Sequence, residues 1–455
     1  MRDARSRAAD PASRSAGHAM RVLYFAPKQC WPPDTGAKLR NFHLARELAR
    51  RTRLTYLGFE DQTGAADRHA RDEGELEDLC EELISVPLEG AYTLGKVVRG
   101  AFGRVPLTLL NYTTPAMKAE LQRLLARRQF DGVQVEGVHL FEYLPIIRSA
   151  INRPLVICDW HNVESDLMRQ YAQRAPTPWR RAYARLTARR MSEVERRALT
   201  AFDAHIVVSE NDRARLLDVE PTARVVAIEN GVDADHFSDA EIEQVYVEWL
   251  SSHTRREGAP DVKRVLFVGS MDYHANIEAA TRFATTVWPS VHTEAPELVF
   301  TIVGRRPSDE VRALANLPGV EVTGTVDDVR PYYREAVASI VPLKVGGGSR
   351  LKILEAMAAG VPVVSTSLGA EGLRVTDGAS IVIADSEEAQ TRALLQLNAN
   401  SELRRRLAEH ARSLVRDRYD WSRIGAALYD VYVGSTRAVA HAAGLRVEVE
   451  PRAMN

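Results

Sequence analysis

Short apolar runs alternate along the chain with longer stretches in which apolar residues recur every three or four positions. From Met20, "RVLYFAP" gives way to "GAKLRNFHLARELARR" and then to "LTYLGF"; "ELISVPL", "FDGVQVEG", "RPLVICDW", "AHIVVS" and "RVVAIENGVD" follow. Short continuous apolar runs predict buried strands, and the periodic stretches between them predict amphipathic helices. Their alternation predicts a doubly wound parallel sheet. The polar, acidic stretch "SDAEIEQVYVEWLSSHTRREGAPD" interrupts the pattern and predicts a linker helix near residues 239–261. The alternation then restarts with "RVLFVGS", "ELVFTIVG", "GVEVTGTV", "ASIVPL", "VPVVST" and "ASIVIA". The expected fold class is therefore α/β with two Rossmann-like domains, residues 20–238 and 262–418. Ligands of such sheets sit beyond the carboxyl ends of the strands. The loops "GSMDYHANIE", "GRRPSDE" and "GTVDDVR" leave such ends and are expected to line one crevice facing the other domain.

One segment carries more chemistry than the rest. "VGGGSRLKILEAMAAGVPVVST", residues 345–366, reads as a glycine loop, a helix and a strand. Ser349 is placed to cap the helix, Leu351, Leu354 and Ala358 give it an apolar face, and Gly360 and Pro362 end it. Arg350 and Lys352 fall at its start, where the helix dipole makes positive charge unfavourable. They make sense if an anion sits in the loop on backbone N–H groups that Gly346, Gly347 and Gly348 leave uncovered. A tight turn with two solvated basic side chains is the plainer alternative.

Composition narrows the field. The chain has 455 residues, 45% hydrophobic and 27% charged, with a formal net charge of −1, so no general attraction to nucleic acid or acidic membranes follows. Cys30, Cys80 and Cys158 are far apart and form neither a zinc-site nor a disulfide pattern, which suits a reducing cytoplasm. No apolar run approaches the roughly 20 residues that span a bilayer. Residues 1–19 are rich in Arg, Ala and Ser, lack the apolar core of a secretion signal, and are expected to be a disordered extension.

Three nucleotide and hydrolase motifs are excluded. Counting from Gly346, the P-loop positions for Gly and Ser/Thr hold Leu351 and Ile353. No G-x-G-x-x-G follows the first strand, and no G-x-S-x-G occurs. The motifs present instead resemble those of the group 1 glycosyltransferases, a retaining family with the two-domain GT-B fold. "GGGSRLKILEAMAAGVPVVSTSLGAEGL" is similar to the family signature, "AIENGVDADHF" to its interdomain segment, and "RVLFVGSMDYHANIEAATRF" to the opening of its second domain. "PPDTGAKLRNFHLARELAR" resembles its N-terminal glycine loop, and "YDWSRIGAALYDVYVG" its C-terminal helix, expected at 419–435 ahead of a tail at 436–455. The resemblance runs from about Met20 to Trp421 and is most like a subgroup linked to exopolysaccharide assembly.

The resemblance implies two Rossmann-like domains facing each other across a cleft. It implies a nucleotide-diphosphate sugar donor in the second domain and a carbohydrate or lipid-linked acceptor, with no cofactor, metal or nucleic acid. Arg350 and Lys352 would neutralise the diphosphate as it leaves, and Glu355 would accept hydrogen bonds from the ribose; a Glu355–Lys352 surface pair is the alternative. Gly269, Ser270, Gly347, Gly348, Ser349 and Leu351 would line the donor site, with Gly304, Val326 and Asp327 holding the base. Two departures stand out. Gly347 replaces a glutamate that many relatives carry near the sugar, and "SMDYHAN" replaces a loop with an Arg and a Lys, whose part Arg350 and Lys352 would take.

In the first domain, His161 in "VICDWHNVESD" is similar to the family's active-site histidine, with Asn162 and Glu164 as weaker candidates, and Gly36 would admit the diphosphate. The resemblance also implies retention by front-face attack, the leaving phosphate helping to remove the acceptor's proton, and the lack of evident paired carboxylates of the glycosidase kind agrees with it. The basic segment 174–199, with Trp179 and Tyr183, reads either as a solvated helix or as a peripheral contact with the inner membrane face. A nucleotide-sugar 2-epimerase and a non-catalytic scaffold are the competing readings.

Overall fold

The computed structural model describes residues 19–31, 33, 35–60, 76–88, 93–103, 105–175, 177–252, 262–345 and 350–442. The chain divides into two units, one running to Glu229 and resuming at Gly425, the other spanning Asn230–Ile424.

Seven strands build the first unit: β1 Arg21–Ala26, β2 Arg53–Phe59, β3 Glu82–Val86, β4 Gly132–Glu136, β5 Leu155–Trp160, β6 Ala204–Val207 and β7 Val225–Ala227. They pair in parallel in the order β3-β2-β1-β4-β5-β6-β7. The central strands β4 and β5 are buried along their whole length. Helices cover both faces of such a sheet, so both faces of these strands are buried, and the polar Gln134, Glu136 and Asp159 are buried with them. The strand order reverses between β1 and β4, which places the unit's crevice at their carboxyl ends.

The second unit holds six parallel strands: β8 Lys263–Val268, β9 Leu298–Val303, β10 Val320–Gly324, β11 Ala336–Val341, β12 Val363–Ser365 and β13 Val382–Ile383. Their order, β10-β9-β8-β11-β12-β13, is that of a Rossmann sheet, with the reversal between β8 and β11. Phe283, Trp288 and Phe300 pack together in its core, with ring centroids 4.7–5.6 Å apart.

The sequence-based boundaries shift in three places. The acidic stretch does form a helix, Asp239–Ser252, but it packs on the second unit instead of linking two bodies. Ile242 and Tyr246 are buried, and the Tyr246 hydroxyl donates to Glu335 at 2.9 Å. Glu335 also pairs with buried Arg264 at 2.7 Å, so the helix is tied into the unit's polar core. Residues 253–261 of that expected linker lie outside the described residues, as do residues 1–18 and 443–455. The C-terminal helix runs from Trp421 to Ala442, past the expected end at 435, and from Gly425 onward belongs to the first unit. Its Tyr432 lies so close to Gly132 that a Cβ there would stand 2.7 Å from the ring. The Tyr432 hydroxyl donates to Gln134 at 3.0 Å. Finally, the helix of the signature segment is Leu351–Ala358, with Arg350 in the cap position and no side-chain cap. Ser349, expected as the cap, lies outside the described residues together with Gly346, Gly347 and Gly348. Gly360 ends the helix with φ of +73°, a conformation glycine adopts without strain.

Candidate active site

In the second unit, three glycines meet at the carboxyl ends of β8, β9 and β10. The Gly269 N–H donates to the Val303 carbonyl at 3.0 Å, and the Gly304 N–H to the Gly324 carbonyl at 3.2 Å. A Cβ at Gly304 would stand 1.7 Å from the Gly269 carbonyl oxygen, so no side chain fits there. A Cβ at Gly269 would stand 2.9 Å from the Lys352 Nζ and 2.8 Å from the Asn276 Nδ2. These glycines thus make the room that Lys352 fills.

The Lys352 ammonium donates to the Asn276 Oδ1 at 2.8 Å and lies 4.5 Å from the centroid of the Phe267 ring. Asn276 in turn donates to the Ser270 carbonyl at 2.9 Å, which orients its amide. Burial pushes Lys352 down to about 8, against the opposing pull of Glu355. Burial likewise pushes Glu355 up to about 7, with Lys352 opposing. The two form no ion pair and Glu355 accepts no hydrogen bond among the described residues, so the surface-pair alternative does not describe this side chain. Arg350 is held differently. Its guanidinium donates to the carbonyls of Leu368 at 2.9 Å and Glu371 at 3.1 Å, so its side chain braces the segment after β12. Buried Leu351 anchors the helix start, and the Ser270 hydroxyl donates to Asp272 at 2.6 Å. Val326 is partly buried and Asp327 exposed in the loop after β10. Gly269, Ser270, Gly304 and Lys352 are therefore brought together.

In the first unit, β4 ends in Glu136 and β5 carries Asp159 one residue before its end. Glu136 and Asp159 are register partners and both are buried. Asp159 receives the Arg40 guanidinium at 3.0 and 3.3 Å, and Arg40 also donates to the Glu229 carbonyl at 3.2 Å. Glu136 accepts from Gln134 at 2.6 Å and lies 2.8 Å from the His161 Nε2. His161 is only 20% exposed. Burial alone would lower its pKa, but the hydrogen bond to Glu136 and the charges of Asp159 and Glu136 outweigh it, and the net shift is upward. Nearby, burial and the His161 charge push His139 down to about 4. Burial and the charge of Glu195 push Glu164 up to about 7. Asn162 is partly buried beside His161. Gly36 opens the helix Gly36–Arg51, capped by the Thr35 hydroxyl, which accepts from the Lys38 N–H at 3.3 Å.

The ligand atoms of Glu136, Asp159 and His161 lie within 4.8 Å of one another, close enough to hold a metal ion. Arg40 already supplies Asp159 with a cation in bidentate geometry, so that carboxylate is not free to ligate. Sequence reasoning missed Arg40, Glu136, Asp159 and Asn276. The visible signal for two of them was an acid near the end of each of two mainly apolar strands, in "VQVEG" and "VICDW".

Two parallel sheets of this order, each with charged groups at its strand ends, define a chain of the GT-B class. Solved structures with the same architecture include sucrose-phosphate synthase from Thermosynechococcus elongatus, at a TM-score of 0.64 and 16% identity, covering 92% of this chain and 100% of that one. Anabaena HepE in complex with UDP and glucose follows the fold at a TM-score of 0.58 and 14% identity, covering 90% and 99%. Residues 262–400 match the family described as glycosyl transferases group 1, and residues 35–236 match Glycosyltransferase Family 4. Each unit thus carries a match to a glycosyltransferase family model, on a chain with the GT-B fold. A phosphatidyl-myo-inositol mannosyltransferase from Mycolicibacterium smegmatis is 30% identical over 249 residues, 53% of this chain and 59% of that protein. An uncharacterized 44.6 kDa protein in the cps region of Klebsiella pneumoniae is 27% identical over 173 residues, 36% of this chain and 45% of that protein. The chain spans about half the length of these curated relatives.

Proposed function

We propose that this chain transfers a sugar from a nucleotide-diphosphate donor to a carbohydrate or glycolipid acceptor, with retention at the anomeric carbon and without a metal. The observation that carries this reading is Lys352, a partly buried side chain whose ammonium lies beside Gly269, one residue into a helix that follows a glycine loop. A desolvated cation with one neutral hydrogen-bond partner is costly unless an anion joins it. A diphosphate is the anion that a helix start of this kind suits.

Each group then has a part. Lys352 stabilises the charge that grows on the departing diphosphate, and the helix N-terminus adds its dipole. Arg350 shapes the loop through Leu368 and Glu371 and adds positive potential. Glu355 accepts from the ribose hydroxyls, which supply the hydrogen bonds its carboxylate lacks. His161, held by Glu136, hydrogen-bonds the transferred sugar or the attacking oxygen. The leaving phosphate helps remove the acceptor's proton, so no carboxylate nucleophile is called for. The mannosyltransferase relatives support a glycolipid acceptor, and the relative from a cps region supports surface polysaccharide synthesis.

The test is calorimetric titration of UDP, GDP and ADP, followed by assay of diphosphate release from the matching sugar donors. Binding of one nucleotide with turnover of its sugar supports the proposal. A chain that binds none of the three overturns it, and one that binds without any turnover favours the scaffold reading.

A further inference from the structure

The helix Pro178–Ala201 has work on both faces. Its inner face carries Met191, Val194, Ala198 and Leu199 into the first unit's core. Its outer face carries Trp179, Tyr183 and Leu186, spaced four and three apart and therefore on one stripe; they are 66%, 41% and 40% exposed. Beside this stripe lies a cavity of about 900 Å³, lined by Arg169, Arg185, Arg189, Arg190 and Arg196 together with Leu186 and Val219. Glu193 is the one acid in that lining, and it is paired with Arg196 at 2.7 Å. Five arginines and one glutamate line the basin, with Asp166 paired to Arg169 beside it, in a chain whose overall charge is −1.

The partners of these arginines differ. Arg169 pairs with Asp166 at 3.0 Å, and Arg190 donates to the Gly100 carbonyl at 2.5 Å. Arg185 and Arg189, one turn apart, make no ion pair or hydrogen bond among the described residues. Like charges four apart on a helix weaken it, so stability does not explain the pair. Guanidinium groups converging on a concave surface suit phosphate oxygens, which they bind in bidentate fashion.

We infer that this basin docks the chain on an anionic phospholipid surface, the arginines taking headgroup phosphates while Trp179, Leu186 and Val219 enter the interfacial layer. A soluble phosphate would use the arginines alone and leave the apolar rim in water. A bilayer surface satisfies both. No described helix is long and apolar enough to cross a membrane, so the contact is made from one side. The inference does not depend on the transferase reading, because none of these residues belongs to the donor or His161 sites.

The experiment is co-sedimentation of the full chain with vesicles of phosphatidylglycerol and phosphatidylcholine in equal parts, and with phosphatidylcholine alone. The chain is expected to bind the mixed vesicles and not the neutral ones. Arg185→Glu/Arg189→Glu is expected to weaken that binding by about tenfold or more, since each basic group near an anionic surface contributes measurably. Trp179→Ala should weaken it when the arginines are intact. Arg392→Glu/Arg406→Glu, an equal charge reversal on exposed positions of the second unit, should not. Absence of binding to the mixed vesicles, equal loss in both double variants, or capture of inorganic pyrophosphate by the basin without vesicle binding would each overturn the inference. The milder Arg185→Gln/Arg189→Gln pair reads the same effect should the reversal impair folding.

Discussion

Glu136 Oε2 lies 2.8 Å from His161 Nε2, joining the end of β4 to the loop that leaves β5. Through this contact Glu136 fixes the orientation of the imidazole. Both members of the pair hold a proton more tightly than they would in water: burial raises Glu136, and Glu136 with Asp159 raises His161 against the effect of burial. The folded chain thus binds more protons than the unfolded one. The pair's contribution to stability is complete below the ordinary carboxylate and imidazole values and is lost as pH rises through the folded ones. Glu136→Gln is expected to lower the His161 pKa, read from its imidazole NMR titration, and to shift the acid limb of the activity profile. An unchanged titration would show that the hydrogen bond does not govern His161.

His161→Ala is expected to fold and to bind the nucleoside diphosphate as before, while losing roughly a hundredfold or more in transfer rate. The loss should fall on kcat, because a contact that strengthens as charge develops acts on the transition state. Transfer at the parent rate would remove His161 from the mechanism.

Lys352→Ala should weaken diphosphate binding by about 1–3 kcal/mol, the range for losing a charged hydrogen-bond partner. With its folded value near 8 and an ordinary value of 10.5, Lys352 should also make binding weaken as pH rises through about 8. Stability should move the other way. The unfolded chain keeps this proton over the interval from 8 to 10.5, so stability gains from this group as pH climbs through it. Lys352→Arg should bind without that pH step. Calorimetry across this pH range checks the first effect and urea unfolding the second.

Glu355→Ala should lower affinity for a nucleoside diphosphate by about tenfold, as for loss of a charged hydrogen-bond acceptor, while leaving inorganic pyrophosphate binding unchanged. The contrast isolates the ribose contact from general electrostatics. Since burial raises Glu355 to about 7, its ionisation costs stability as pH rises through neutrality, and Glu355→Gln should flatten that decline. Equal losses for both anions would remove the ribose role.

The two sheets were legible in the sequence because a strand buried on both faces leaves a run of apolar residues, as in "LVIC" and "VLFV". Arg350 and Lys352 stood out in the sequence because they conflict with a helix dipole. Their neighbours did not. Asn276 reaches Lys352 across 76 residues and Arg40 reaches Asp159 across 119, and neither pairing leaves a local pattern. The helix Asp239–Ser252 read as a linker because its acids dominate the composition, whereas its fate was decided by Ile242 and Tyr246 on the buried face.

The C-terminal helix has a consequence for the order of synthesis. The strands of the first unit leave the ribosome before the second unit, and its helix from Gly425 leaves after it. The residues of the second unit, all contiguous, emerge in between. Domains fold as their residues become available. The second unit can therefore complete its sheet while the first still lacks the helix whose Tyr432 covers Gly132 and bonds Gln134. The first unit is finished after the second.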